Sequence, residues 1–161
     1  MIPPQTIRAR SVSFDIETAT SPANYLECES WKGEYLFKFK IPPFQRPFVW
    51  TENQCIRFIE SAWLGFNLGT YMINKLEWNT GDFIPEFDRF LIDGQQRLTA
   101  LKKYMDNEFK VFDMFWSECT LKETRRFNNI IFTQSQVSIT DINVLEDLYE
   151  RLNFGGTAHT R

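Results

Sequence analysis

The stretch Arg89-Phe90-Leu91-Ile92-Asp93-Gly94-Gln95-Gln96-Arg97-Leu98 constrains this chain more than any other. Arg89 to Ile92 reads as a short strand, and the spacing of Leu98, Leu101 and Met105 predicts a helix over Gln95 to Met105 with Lys102 and Lys103 facing outward. Only Asp-Gly lies between them. Gly94 permits a backbone turn that a Cβ would block. The amides of Gln95, Gln96 and Arg97 then become the unpaired donors at the start of the helix. Those donors and the helix dipole favour an anion such as phosphate, and Arg97 adds a bidentate, charge-assisted contact. Asp93 would repel a bare phosphate, so its carboxylate makes more chemical sense holding Mg²⁺ or orienting a water. Gln95 and Gln96 suit the positioning of a water or a ribose. A capped helix after a tight turn accounts for the same residues without a ligand, because Asp-Gly is common in turns and Gln and Arg are good helix formers.

Two other segments stand out. In Ile41-Pro42-Pro43-Phe44-Gln45-Arg46-Pro47-Phe48-Val49-Trp50 the prolines stiffen the backbone around a polar pair, Gln45-Arg46. A connector that packs Phe44, Phe48 and Trp50 into the core explains the aromatics; a rigid backbone around Gln45-Arg46 suggests presentation of that pair. In Glu150-Arg151-Leu152-Asn153-Phe154-Gly155-Gly156-Thr157 the glycines after a helix form either a close-approach loop or a simple C-cap.

The remaining pattern alternates short strands with helices. Tyr35 to Ile41 alternates apolar and cationic residues and predicts a half-buried strand. Thr51 and Gln54 form a capping box for a helix that places Ile56, Ile59, Trp63 and Phe66 near one face and ends around Gly65 or Gly69. Thr70 to Trp78 reads as a strand, Asn79 to Asp82 as a turn, and Phe109 to Phe112 as a further strand. Thr120 with Glu123 caps a short basic helix, Asn129 to Ser138 includes a strand, and Asp141 caps a last helix with Leu145, Leu148, Tyr149 and Leu152 as its buried stripe. Residues 1–36, apart from a turn at Ser21 to Asn24, carry little pattern and are expected to pack on a domain formed by 37–161. The fold class expected is therefore α+β. With 161 residues, 16 of them Phe and 5 Trp, one well-packed core is within reach and two are not.

Taken in order, Gln45-Arg46-Pro47-Phe48-Val49-Trp50, Asp93-Gly94-Gln95-Gln96-Arg97-Leu98, and Arg151-Leu152-Asn153 with Gly155-Gly156-Thr157 resemble the marks of the N-terminal domain of GmrSD-type restriction endonucleases, within the ParB/sulfiredoxin superfamily. The resemblance implies a small ParB-like mixed sheet packed with helices. It implies a nucleoside triphosphate site, with hydrolysis, in which Asp93, Gln95, Gln96 and Arg97 act on the phosphates. Gln45, Arg46, Gly94, Arg97, Arg151, Asn153, Gly155, Gly156 and Thr157 would bind the nucleotide, and Asp93 would hold Mg²⁺. It places the chain in restriction, modification or phage–host conflict in a cytoplasm, with DNA, a nuclease partner or a second copy of the chain as company. A nucleotide-sensing or DNA- or partner-binding module without turnover, or a phosphotransferase of the same fold, are the alternatives. The only histidine is His159, so no HNH nuclease site is present, and a minimal stand-alone version suits a phage or mobile element.

Several other readings fall away. A formal net charge of −3 speaks against coating DNA by charge alone. The basic clusters are small: Lys38 and Lys40 on one strand, Lys102 and Lys103 on one helix, and Lys122, Arg125 and Arg126 on another. Weak, salt-dependent DNA binding is expected unless a second subunit doubles the patch. Three widely spaced cysteines, Cys28, Cys55 and Cys119, suggest neither a disulfide scaffold nor a zinc site. No run approaches a membrane span. Asp15 and Glu17 mimic the first motif of an exonuclease, and Asp93 with Glu108-Phe109-Lys110 mimics a PD-(D/E)xK nuclease. The exonuclease motif lacks its later companions, a helix separates Asp93 from Glu108-Phe109-Lys110 where neighbouring strands are needed, and there is no Walker loop.

Overall fold

The computed structural model describes residues 1–22, 28–77 and 81–154. In chain order the elements are β1 (Arg10–Val12), α1 (Ile16–Thr20), β2 (Tyr35–Leu36), β3 (Phe39–Lys40), α2 (Glu52–Trp63), β4 (Thr70–Asn74), β5 (Phe90–Asp93), α3 (Gln95–Met105), a 3₁₀ turn (Trp116–Glu118), α4 (Leu121–Asn128), β6 (Thr133–Val137) and α5 (Ile142–Phe154). The strands form one six-stranded sheet in the order β1-β6-β4-β5-β3-β2. β4 pairs in parallel with β6, from Thr70 opposite Thr133 to Asn74 opposite Val137, and antiparallel with β5. β5 pairs in parallel with β3, while the outer strands β1 and β2 run antiparallel to their neighbours. A mixed sheet packed with helices is the α+β class that the pattern implies.

The alternation of a strand explains where the site comes to lie. Successive side chains of β5 point to opposite faces. Leu91 enters a core with Tyr71, Ile59, Leu98 and Leu101, whereas Phe90 and Ile92 enter a second core with Val137, Leu145, Leu148 and Tyr149. A strand covered on both faces reads as a continuous apolar run. Layered between α3 and α5, β5 delivers its last residue, Asp93, to the edge where both helices meet the sheet.

The helix starts follow local chemistry. The Thr51 hydroxyl accepts from the Gln54 amide at 3.3 Å while Gln54 Oε1 accepts from the Thr51 amide at 2.8 Å. Thr120 and Glu123 repeat the arrangement. Asp141 Oδ1 accepts from the Asn143 amide at 2.9 Å at the start of α5.

Several expectations need correction. Tyr35 to Ile41 is a two-strand hairpin, because Phe37 takes φ +52° and folds the chain back at Phe37-Lys38. Phe109 to Phe112 is no strand: Phe112 and Asp113 have φ +50° and +61°, and the turn leaves only a bridge between Val111 and Met114. The apolar alternation there reflects Phe109 and Val111 entering the core. β4 ends at Asn74, whose side-chain Nδ2 donates to the Phe87 and Ile139 carbonyls. Phe66 and Leu152 are exposed, Phe66 because α2 ends at Trp63. Residues 1–36, where the sequence carries little pattern, supply edge strand β1 and the core residues Ile16 and Ala19. The turns at Ser21 to Asn24 and Asn79 to Asp82 lie partly outside the described residues.

Tyr71 and Tyr104 are 0 % and 1 % exposed, and burial pushes each phenol up to about 12. Between their ordinary value of 10 and 12, the unfolded chain ionises these phenols and the folded chain does not. Stability is therefore fully present below pH 10 and falls as pH rises toward 12, by on the order of 2 kcal/mol per tyrosine. Alkaline titration should show these two phenols ionising together with loss of the far-ultraviolet circular dichroism. Ionisation of Tyr71 and Tyr104 near pH 10 in a folded protein would contradict this.

Candidate functional site

The turn between β5 and α3 is built on Gly94. Its φ of +104° is disfavoured for any residue with a Cβ, and an ideal Cβ there would sit 2.6 Å from Tyr71 Cβ. With glycine at this position α3 opens without a side-chain cap.

Three polar side chains around this turn bind backbone. Arg97 Nη1 donates to the Leu68 carbonyl and Nη2 to the Thr70 carbonyl, each at 2.8 Å. The positive φ of Gly69, +74°, brings those carbonyls together. Arg97 Nη2 also lies 3.7 Å from Asp93 Oδ2, and the guanidinium sits 5.7 Å over the Phe132 ring. Burial lowers the pKa of Arg97, and the Asp93 carboxylate works against that. Gln96 Oε1 accepts from the Val49 and Trp50 amides at 2.9 and 3.2 Å. Gln45 Nε2 donates to the Leu91 and Ile92 carbonyls at 2.6 and 3.3 Å. The Arg46 amide donates to Tyr149 Oη at 2.9 Å, which ties the proline-rich segment to α5.

These ties gather most of the expected residues around one cleft of about 190 Å³. Gln45 and Arg46 form one wall, Asp93, Gly94, Gln95, Gln96 and Arg97 the floor, and Asn153 of α5 the far side. Asn153 is held by its Nδ2 donating to the Tyr149 carbonyl at 2.8 Å. The Arg46 guanidinium makes no hydrogen bond or ion pair with the described residues. Gln95 Oε1 is buried without a partner among them. Arg97 and Gln96 thus carry much of the scaffold, while Asp93, Gln95 and Arg46 line the cleft beside them.

Arg151 does not line it. It is exposed and pairs with Asp147 at 2.8 Å. Gly155, Gly156 and Thr157 lie outside the described residues, as does His159. Trp50, assigned by its sequence to the core, also lines the cleft, and its place next to Gln45-Arg46 was the available signal. A second cavity of about 340 Å³ adjoins the first and shares Gln45, Arg46 and Gln95 with it. Part of its lining, Trp31, Gly33 and Glu34, comes from the region where the sequence carries little pattern.

Among the described residues, Asp93 is the only carboxylate lining the first cleft, and no group of three or more His, Cys, Asp or Glu could hold a metal. A cation there would need oxygens from its ligand and from water, which is the way Mg²⁺ is held at phosphate sites.

The nuclease-like motifs have structural roles. Asp15 is the N-cap of α1 and accepts from the Thr18 amide and hydroxyl at 2.8 and 2.7 Å. Glu108 pairs with Lys103 at 2.8 Å. The basic clusters are smaller than the sequence implies. Lys40 is buried and donates to the Pro85 and Asp88 carbonyls, and Lys38 donates to the Thr18 carbonyl. Burial lowers the pKa of both lysines. Lys102 is paired with Asp106, and Arg126 stacks on Trp63. No helix among the described residues is long and apolar enough to cross a membrane.

The family model for the GmrSD restriction endonuclease, N-terminal domain, matches residues 29–129. No curated protein and no solved structure matches the chain. The matched stretch runs from the loop before β2 through α4 and includes both Gln45-Arg46 and the β5–α3 turn, leaving the Arg151 to Thr157 segment outside. With well over half of its length covered by that match, this chain belongs to the GmrSD restriction endonuclease N-terminal domain family.

Proposed function

We propose that the cleft at the start of α3 binds the phosphates of a nucleoside triphosphate and hydrolyses it in the service of DNA restriction. Membership of the family gives the restriction context. The observation that carries the nucleotide reading is the convergence of Arg46, Gly94, Gln95 and Asp93 on one cleft beside an uncapped helix start. Backbone amides at a helix start and a guanidinium without partners among the described residues are anion-binding groups. Asp93 would hold Mg²⁺, which when bound supplies charge neutralisation to the phosphates. Gln95 would orient the attacking water through its amide, and Arg46 would draw off charge from the leaving phosphate. Gln96 and Arg97 would act by position, since their polar atoms hold the walls.

That commitment also favours a second reading, a nucleotide sensor without turnover that signals to a nuclease or DNA partner or to a second copy of the chain. Few cleft groups remain free for chemistry.

A thermal-shift series with each nucleoside triphosphate, with and without Mg²⁺, separates these. A ligand at about a hundredfold its Kd should stabilise by about 2.7 kcal/mol. The expected result is a raised midpoint that rises further with Mg²⁺, accompanied by phosphate release that Asp93→Asn removes while metal-free binding persists. Binding without phosphate release selects the sensor, and no shift with any nucleotide defeats both readings.

A further inference from the structure

We propose that the adjoining cavity is a nucleobase slot, which rests on the nucleotide reading of its neighbour and adds the part of the ligand that the phosphate cleft does not recognise. Three observations carry it. The first is continuity: Gln45, Arg46 and Gln95 line both cavities, so a molecule with an anionic end and a flat end can span them. The second is size. The volume of about 340 Å³ lies within the range of small-molecule sites.

The third is chemistry. The slot is walled by Trp31, Ile41 and the rings of Pro42, Pro43 and Pro47, and its charged members are Glu34 and Arg46, of opposite sign. A phosphate chain finds few donors there, whereas a neutral flat ring finds apolar walls and polar groups for its edge. Trp31 is fixed in advance. Its ring meets Phe90 edge-on at 5.2 Å, and its Nε1 donates to the Glu34 carbonyl at 3.3 Å. Gly33 packs directly against that ring, where an ideal Cβ would lie 2.4 Å from Cζ2. A tryptophan held this way is a stacking platform, and stacking of this kind tolerates any base because every base has a π-face.

Calorimetric titration of the whole chain with ATP, GTP and inorganic tripolyphosphate, each with Mg²⁺, tests the slot. ATP and GTP should bind more tightly than tripolyphosphate. Trp31→Ala should weaken ATP and GTP by about tenfold, in line with the loss of one stacked base, and leave tripolyphosphate unchanged. Because Trp31 also packs on Phe90, Gly33→Ala serves as the second variant: it displaces the ring without deleting it and should weaken the nucleotides in the same direction. If tripolyphosphate binds as tightly as ATP and folded variants leave all affinities unchanged, the slot is overturned while the phosphate site stands. Equal losses for all three ligands would make Trp31 a structural residue and overturn the slot as well. Failure of all three ligands to bind the wild-type chain would overturn the nucleotide reading and the slot with it.

Discussion

Replacing Arg97 with alanine is expected to destabilise the fold by about 3 kcal/mol and to remove the nucleotide binding proposed for the cleft in the same step. The guanidinium joins α3 to β4 by donating to Leu68 and Thr70 carbonyls, and it covers Phe132. Hydrogen bonds from a charged donor contribute about 1.5–3 kcal/mol each. The sum is reduced here because Thr70 is exposed, so water can take over its carbonyl. β4 lies between β6 and β5, so slack at its start reaches the β5–α3 turn. Arg97→Lys should recover little, since an ammonium lacks the planar fork that serves two carbonyls at once. Urea denaturation followed by circular dichroism measures the loss. A folded Arg97→Ala protein with the wild-type midpoint would show that the turn is held by other contacts.

The second large effect concerns Gly94→Ala, expected to destabilise by roughly 3 kcal/mol. The φ of +104° imposes left-handed strain on any residue with a Cβ, about 1–2 kcal/mol. The added methyl would also lie 2.6 Å from Tyr71 Cβ and 3.2 Å from Tyr71 Cα. Those atoms belong to β4 and cannot swing away like the end of a flexible side chain, so an overpacking cost of about 1–3 kcal/mol is added. Asparagine, which tolerates left-handed backbone, should not rescue the site because its Cβ meets the same atoms. Thermal unfolding of the alanine and asparagine variants decides the point: a midpoint within a degree or so of wild type would mean that β4 yields more readily than its pairing implies.

Legibility in the sequence tracked how local each cause was. α2 and α4 start where Thr51-Gln54 and Thr120-Glu123 say they should, because a capping box is completed within four residues. α3 spans Gln95–Met105 as its apolar spacing predicts, with Gly94 making the turn. The hairpin at Phe37-Lys38 and the turn at Phe112-Asp113 were not legible, since both put a non-glycine residue at positive φ, a conformation fixed by tertiary packing. At the site, residue types announced the cleft but not the division of labour within it. Nothing in Gln-Gln-Arg says that Gln96 and Arg97 would turn to the backbone while Gln95 keeps a buried Oε1 with no partner among the described residues. Lys38 and Lys40 read as a solvent-facing pair for the same reason: their carbonyl partners lie far off in sequence, at Thr18, Pro85 and Asp88.

The proline-rich wall is lashed down at three points, by Gln45 to β5, by the Arg46 amide to Tyr149, and by Gln96 to the Val49 and Trp50 amides. Such a wall surrenders its conformational freedom when the chain folds, long before any ligand arrives. Binding then freezes few additional backbone degrees of freedom, and little of the interaction energy is diverted into ordering protein. The same rigidity removes induced fit as a source of discrimination. A receptor of this kind must choose among ligands with the shape it already has, and differences in affinity between them should appear in how fast each one leaves.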